Sequence, residues 1–203
     1  MNLANCAKLT LTREASVCYR AIQTAYLGSA LSVAHTAHSP SRFSNPQPLL
    51  PGPQYLYLAE DASVALFEVE ALFGGVWSPG NIVPNPRVAW TILNVRVNLG
   101  SVADLSDVSQ QSLLDTTVQE LTGDWRGYQL RATMGGSVVA PTGSAPTQDL
   151  GAALFQVPGL EGFRTVSAQV PYRKTLVIFP QRIAHGNYVE WWNPLTGVTE
   201  RLP

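Results

Sequence analysis

The sequence predicts an α+β fold in one domain, and three observations carry that reading. Runs that alternate or are rich in β-branched residues occur together with runs of helical spacing, but not in the regular succession that builds a doubly wound sheet. The chain has 203 residues, enough for one sizeable core. Hydrophobic residues make up 45% of it and charged ones 13%, a balance that leaves little room for disorder.

The elements follow in chain order. Residues 15–26 contain VCYRAIQTAY, which fits a strand carrying Tyr19 and Arg20, with a short helix as the alternative. Residues 28–53 turn to Ser, Pro, Asn and Gly and read as loop. Residues 54–59 alternate, with Tyr55 and Tyr57 on one face and Leu56 and Leu58 on the other, as a short strand does. Asp61 then offers an N-cap to a helix over 62–73, with Gly74 placed to stop it. On that helix Glu68 shares a stripe with Val64, Ala65 and Leu72, and Glu70 shares one with Leu66, Phe67 and Phe73. Either one carboxylate meets a partner away from open water, or both skirt the helix to solvent.

Residues 77–87 form a turn-rich loop and 88–99 a long strand. Residues 104–121 have helical spacing, marked by Leu105, Val108, Leu113, Leu114, Val118 and Leu121 and ended by Gly123. Residues 134–146 are small and flexible in composition. Thr147 caps a short helix over 147–155, and strands follow at 163–170 and 174–179. Residues 186–192 and 197–202 close the chain as a hairpin around Asn193-Pro194-Leu195-Thr196, whose double tryptophan buries one ring, Trp191 or Trp192. No repeat is present.

Composition excludes several functions. The net charge is −1 without a basic cluster, so direct nucleic-acid binding is disfavoured. No run is long enough for a membrane span. The N-terminal stretch lacks the basic start and apolar centre of an export signal, and Cys6 and Cys18 make no disulfide framework, so a cytoplasmic protein with reduced thiols is expected. There is no phosphate-binding glycine loop and no nucleophile elbow. His35 and His38 lack ligand partners at metal spacing, and His185 is remote, so no metal is expected.

Several segments, taken in order, resemble one family. They are Tyr19-Arg20-Ala21, Arg42-Phe43, Leu56-Tyr57-Leu58-Ala59-Glu60 with Ala65-Leu66-Phe67-Glu68-Val69, Thr147-Gln148-Asp149-Leu150-Gly151, and Val166-Ser167-Ala168 ahead of Leu176-Val177-Ile178-Phe179-Pro180. The set resembles the RES domain, named for its Arg, Glu and Ser and found in toxins of bacterial toxin–antitoxin pairs. The resemblance covers residues 15–181 of a single domain spanning 1–203, with 182–203 as a hairpin extension. It implies an ADP-ribosyltransferase-like fold, with NAD⁺ in a cleft between two small sheets flanked by helices. It implies Glu68, Arg20 and Ser167 as catalytic residues, and Arg20, Arg42, Tyr57, Tyr19 and Ser167 as the NAD⁺-binding set. Ser41 stands where the family usually has glycine.

The implied activity is cleavage of the nicotinamide–ribose bond, by hydrolysis or phosphorolysis, with no metal. ADP-ribosyl transfer to a protein is the alternative on the same fold, and a non-catalytic interaction module the second. A toxin of this kind implies an Xre-type helix-turn-helix antitoxin that blocks the cleft, with DNA touched only through it, no membrane, and room for assembly into a homo-oligomer.

The chemistry suits these residue types. Nicotinamide leaves as a neutral molecule, so no general acid is required, unlike ordinary glycoside cleavage. One carboxylate near the ribose can stabilise the positive charge that develops there. Arginine grips pyrophosphate oxygens in a planar fork. Tyr57 can stack on nicotinamide. Ser167 serves either a phosphate or Glu68.

Overall fold

The computed structural model describes residues 1–46, 52–71, 88–127 and 143–203. Its strands are β1 (Leu11–Gln23), β2 (Leu56–Ala59), β3 (Trp90–Asp104), β4 (Gly162–Val166), β5 (Lys174–Ile178), β6 (Tyr188–Trp192) and β7 (Thr199–Leu202). Its helices are α1 (Ala62–Glu68), α2 (Val108–Leu113), α3 (Val118–Leu121) and α4 (Pro146–Gln156). Short 3-10 turns lie at Leu3–Lys8, Thr24–Ser29, Ala34–Ala37 and Pro180–Arg182. The loop expected at 77–87, most of that at 134–146, and Leu72, Phe73 and Gly74 of the expected helix lie outside the described residues.

The α+β class holds, but the two separate sheets do not. The seven strands among the described residues belong to one hydrogen-bonded sheet in the order β1-β2-β5-β4-β3-β6-β7, and a further β1–β3 pairing closes its first five strands into a barrel. The cause is the length of β3. Its 15 residues carry β1 along one edge, from Leu11↔Ala103 to Gln23↔Trp90. The other edge is shared, with β4 parallel at 102–104 and β6 antiparallel at 96–98. One long strand therefore joins what would otherwise be two sheets. β6 and β7 form the expected closing hairpin, with Trp191 buried and Trp192 exposed.

Successive strand residues face opposite ways, and the two faces have different cores. Cys18, Ile22, Leu56, Leu58, Leu93, Val95, Leu176 and Ile178 share one cluster. The opposite face carries Phe163, Val177 and Phe179 against Leu150 and Leu154 of α4, and Ala21 and Ala59 against Val64 and Ala65 of α1. Since the helices cover that second face, the first is the interior of the barrel. Both cysteines are free and buried, and burial pushes both thiols up.

Two helix expectations are corrected. Residues 104–121 do not form one helix. β3 runs to Asp104, whose carboxylate takes the Ser106 amide at 2.9 Å and bends the chain. Asp107 then caps α2 through the Ser109 amide, and a left-handed Asp115 (φ 51°) separates α2 from α3, which Thr117 caps. Leu105, Leu114 and Leu121 are fully buried along this broken path, whereas Val108 and Val118 are exposed. In α4, Thr147 is not the cap. The helix starts at Pro146, whose fixed φ suits the first turn, and Gln148 accepts the Ala145 amide at 2.9 Å.

Candidate functional site

The site is built on the helix-covered face, where β2, β4 and β5 run side by side. Asp61 caps α1 by accepting the Val64 amide at 3.0 Å, as its sequence position predicts. Val64 and Ala65 pack on Ala21 and Ala59, which fixes the helix against β1 and β2. Glu68 is the last residue of α1 and half-buried. Ser167, just past the end of β4, donates its hydroxyl to Glu68 Oε1 at 2.5 Å. Ser167 Oγ in turn accepts the amides of Val170 (2.9 Å) and Gln169 (3.2 Å), so the hydroxyl is held from three sides.

Arg42 comes from a tight turn in which Ser41 and Ser44 exchange backbone hydrogen bonds of 2.8 and 3.2 Å. α4 clamps that turn. Gln148 Nε2 donates to the carbonyls of Ser41 (2.9 Å) and Ser44 (3.1 Å). Gly151 lets the helix approach so closely that a Cβ there would lie 2.0 Å from the Phe43 carbonyl oxygen. The guanidinium of Arg42 is thereby carried inward to 7% exposure. Nη2 donates to Val166 O at 3.2 Å and Thr175 Oγ1 at 3.4 Å, while Nη1, although buried, has no partner among the described residues. Burial lowers the affinity of this guanidinium for its proton, and the charges of Glu68 and Tyr57 act in the opposite sense.

Tyr57 leaves β2 on the same face, and its hydroxyl pairs with Ser41 Oγ at 2.8 Å. Burial raises its pKa, Ser41 and Arg42 oppose that, and Glu68 adds to it. Thr165 of β4 lies opposite Thr175 of β5 in register, and its buried Oγ1 also lacks a partner among the described residues. Buried polar atoms are nearly always satisfied in native proteins. Two donors left open on one patch, near a carboxylate held by a serine, are groups suited to anionic oxygens beside a centre of positive charge.

The structure thus brings Arg42, Tyr57, Glu68 and Ser167 together. Tyr19 shares their side of the sheet, packed in the α1 cluster. Arg20, its neighbour in β1, shares the parity of Cys18 and Ile22 and points to the other side. Its guanidinium donates to the carbonyls of Ala30 (2.7 Å) and Ser32 (3.3 Å). Glu200 of β7 accepts the amides of Ala30 and Leu31 from the same segment. Burial holds Arg20 down to about 10, against the opposing charge of Glu200. Sequence reasoning missed Thr165 and Thr175, which carry no motif, and noted Ser41 only as a departure from the family's glycine, not as a partner of Tyr57. It matched Gln148 and Gly151 without assigning their clamp, which depends on a contact more than 100 residues away in sequence.

A family model described as the RES domain matches residues 17–192. In structure, the chain is similar to a chain of the M. tuberculosis MbcT–MbcA toxin–antitoxin complex, known from a crystal structure. The match covers 98% of this chain and 91% of that one, with a TM-score of 0.66 and 18% sequence identity. At that identity the likeness concerns the fold. No curated protein sequence matches the chain.

Proposed function

The chain belongs to the RES domain family, and from that premise we propose that it is the toxin of a toxin–antitoxin pair, consuming NAD⁺ by breaking the nicotinamide–ribose bond. The observation that carries this reading is the pairing of Glu68 with Ser167 beside Arg42, whose buried Nη1 has no partner among the described residues.

In this reading Arg42 Nη1 and Thr165 Oγ1, both shielded from solvent in this structure, are uncovered on binding and donate to pyrophosphate oxygens of NAD⁺. Ser167 orients Glu68 so that its charge faces the ribose. As the C1′–N bond breaks, its electron pair passes to the pyridinium nitrogen and nicotinamide departs neutral. Positive charge then spreads over C1′ and the ring oxygen, and Glu68 stabilises it more strongly in the transition state than in the bound substrate. An oxygen of water or inorganic phosphate forms the new bond to C1′, and its proton goes to solvent. Tyr57 lines the pocket and, like Tyr19, supplies an aromatic surface. For Arg20 to touch the pyrophosphate, it would first have to release the Ala30 and Ser32 carbonyls. The likeness to a toxin held with its antitoxin supports a protein partner that blocks this pocket.

The test is direct. The purified chain incubated with NAD⁺ should release free nicotinamide, with ADP-ribose as co-product in water and ADP-ribose-1″-phosphate when phosphate is the acceptor. Intact NAD⁺ after prolonged incubation with the folded protein, with and without phosphate, would sink the reading.

A further inference from the structure

The end of α1 is unusual. Glu70 lies in the left-handed region with φ 55°, where glycine is the ordinary occupant. The Ala71 amide reaches back to Leu66 O and the Glu70 amide to Phe67 O, both at 3.0 Å. Together these two bonds form the paired closure that caps a helix C-terminus when the next residue turns left-handed. The helix is closed this way immediately after Glu68. A non-glycine residue keeps such a backbone only where its surroundings hold it. Here the two backbone bonds close the turn, and the Glu70 carboxylate meets Arg126, whose Nη1 lies 2.9 Å from Glu70 Oε1. Arg126 is itself placed over the Trp125 ring at 5.3 Å, and its amide donates to Asp124 Oδ1 at 3.0 Å.

We propose that Glu70 is a positioning residue for Glu68, acting through the left-handed backbone that closes α1 and so sets the carboxylate against Ser167. The ion pair with Arg126 is half-exposed and contributes little energy of its own. It gives the Glu70 carboxylate a partner, while the turn itself is closed by the two backbone bonds. The backbone conformation at position 70, rather than the charge there, is what the site depends on.

Three variants separate the two. Glu70→Gly adopts the left-handed conformation freely but loses the ion pair. Glu70→Val loses the ion pair and resists that conformation, because it is β-branched. Arg126→Gln removes the pair and leaves residue 70 unchanged. We expect Glu70→Gly and Arg126→Gln to keep kcat within about threefold, as for a surface ion pair. Glu70→Val should lower kcat about tenfold or more, with KM little changed, since a small misplacement of a reacting group is enough. A second readout is the chemical shift of the ¹³C-labelled Glu68 carboxyl, which reports its hydrogen bond to Ser167. It should move in Glu70→Val and stay in place in Glu70→Gly. Normal turnover and an unmoved shift in Glu70→Val overturn the proposal, as does a Glu70→Gly variant as slow as Glu70→Val. Should Glu70→Val fail to fold, an Arg126→Gln or Glu70→Gly variant with kcat down tenfold overturns it alone. The kinetic arm rests on the NAD⁺-cleaving reading and the spectroscopic arm does not. A wild type that releases no nicotinamide sinks that reading, while the shift still decides the role of Glu70.

Discussion

Ser167 has one proton to give, and the amides of Gln169 and Val170 occupy its acceptor side. In this structure its hydroxyl hydrogen goes to Glu68. If Glu68 acts on charge that exists only in the transition state, Glu68→Gln should lower kcat by roughly 10²-fold or more while NAD⁺ affinity changes little. Single-turnover nicotinamide release together with calorimetry decides it, and a loss of binding equal to the loss of rate would contradict the assignment. Arg42→Lys keeps the charge but not the planar fork that reaches Val166 O and Thr175 Oγ1 while leaving Nη1 open. NAD⁺ binding should weaken about tenfold or more, as when a charge-assisted hydrogen bond is lost. Unchanged affinity would remove Arg42 from the pyrophosphate. At this scale the sequence was informative where chemistry is carried by rare residue types in a fixed order. For Arg20 it did not register that adjacent strand residues such as Tyr19 and Arg20 face opposite ways, because motif order carries no facing.

Among the elements, α4 matters to the site without supplying a reacting group. Its Gln148 and Gly151 hold the turn that delivers Arg42. Gly151→Ala would push a methyl group into the Phe43 carbonyl, so either the helix or the turn must shift. We expect a loss of about 1–3 kcal/mol in stability, typical of overpacking, and weaker NAD⁺ binding as Arg42 is displaced. A melting curve and a binding isotherm read both effects, and a variant that loses neither would show that the clamp is dispensable. The existence of α4 was legible from its apolar spacing, but its start was not, since Pro146 and the Gln148 side chain outcompeted Thr147 for the first turn. Likewise the capping of α1 by Asp61 was readable from local chemistry, whereas its stop was not. Glu70 takes a conformation that residue type disfavours, closed by backbone bonds to Leu66 O and Phe67 O, with its carboxylate paired to the distant Arg126.

For the molecule as a whole, strand positions were readable from alternation, but closure of the sheet depends on register between strands far apart in sequence. Leu11 lies against Ala103 and Thr12 against Val102, with a shift before Glu14, and no local pattern encodes those pairings. Closure also explains an ion pair inside the fold. Glu14 on β1 and Arg164 on β4 face each other across the barrel through two 2.7 Å hydrogen bonds, with side-chain exposures of only 11% and 21%. Burial pushes the Glu14 carboxyl up. The hydrogen bonds from Arg164 and Ser16 and the Arg164 charge pull it down further, so that it ends below its ordinary 4.5. A carboxyl whose folded pKa is depressed stabilises the fold above its unfolded value, and that contribution is lost as pH falls through the folded value. The barrel should therefore lose stability below about pH 4.5 partly through this one residue. Glu14→Gln leaves Arg164 buried without its counter-charge, which should cost on the order of 3 kcal/mol at pH 7. The variant should also lose less stability than wild type on acidification, because the group that titrates is gone. Urea unfolding of both proteins at pH 7 and pH 3.5 measures the two effects together. A parallel decline in the two proteins would mean that other carboxylates govern the acid limit and that this pair contributes register rather than stability.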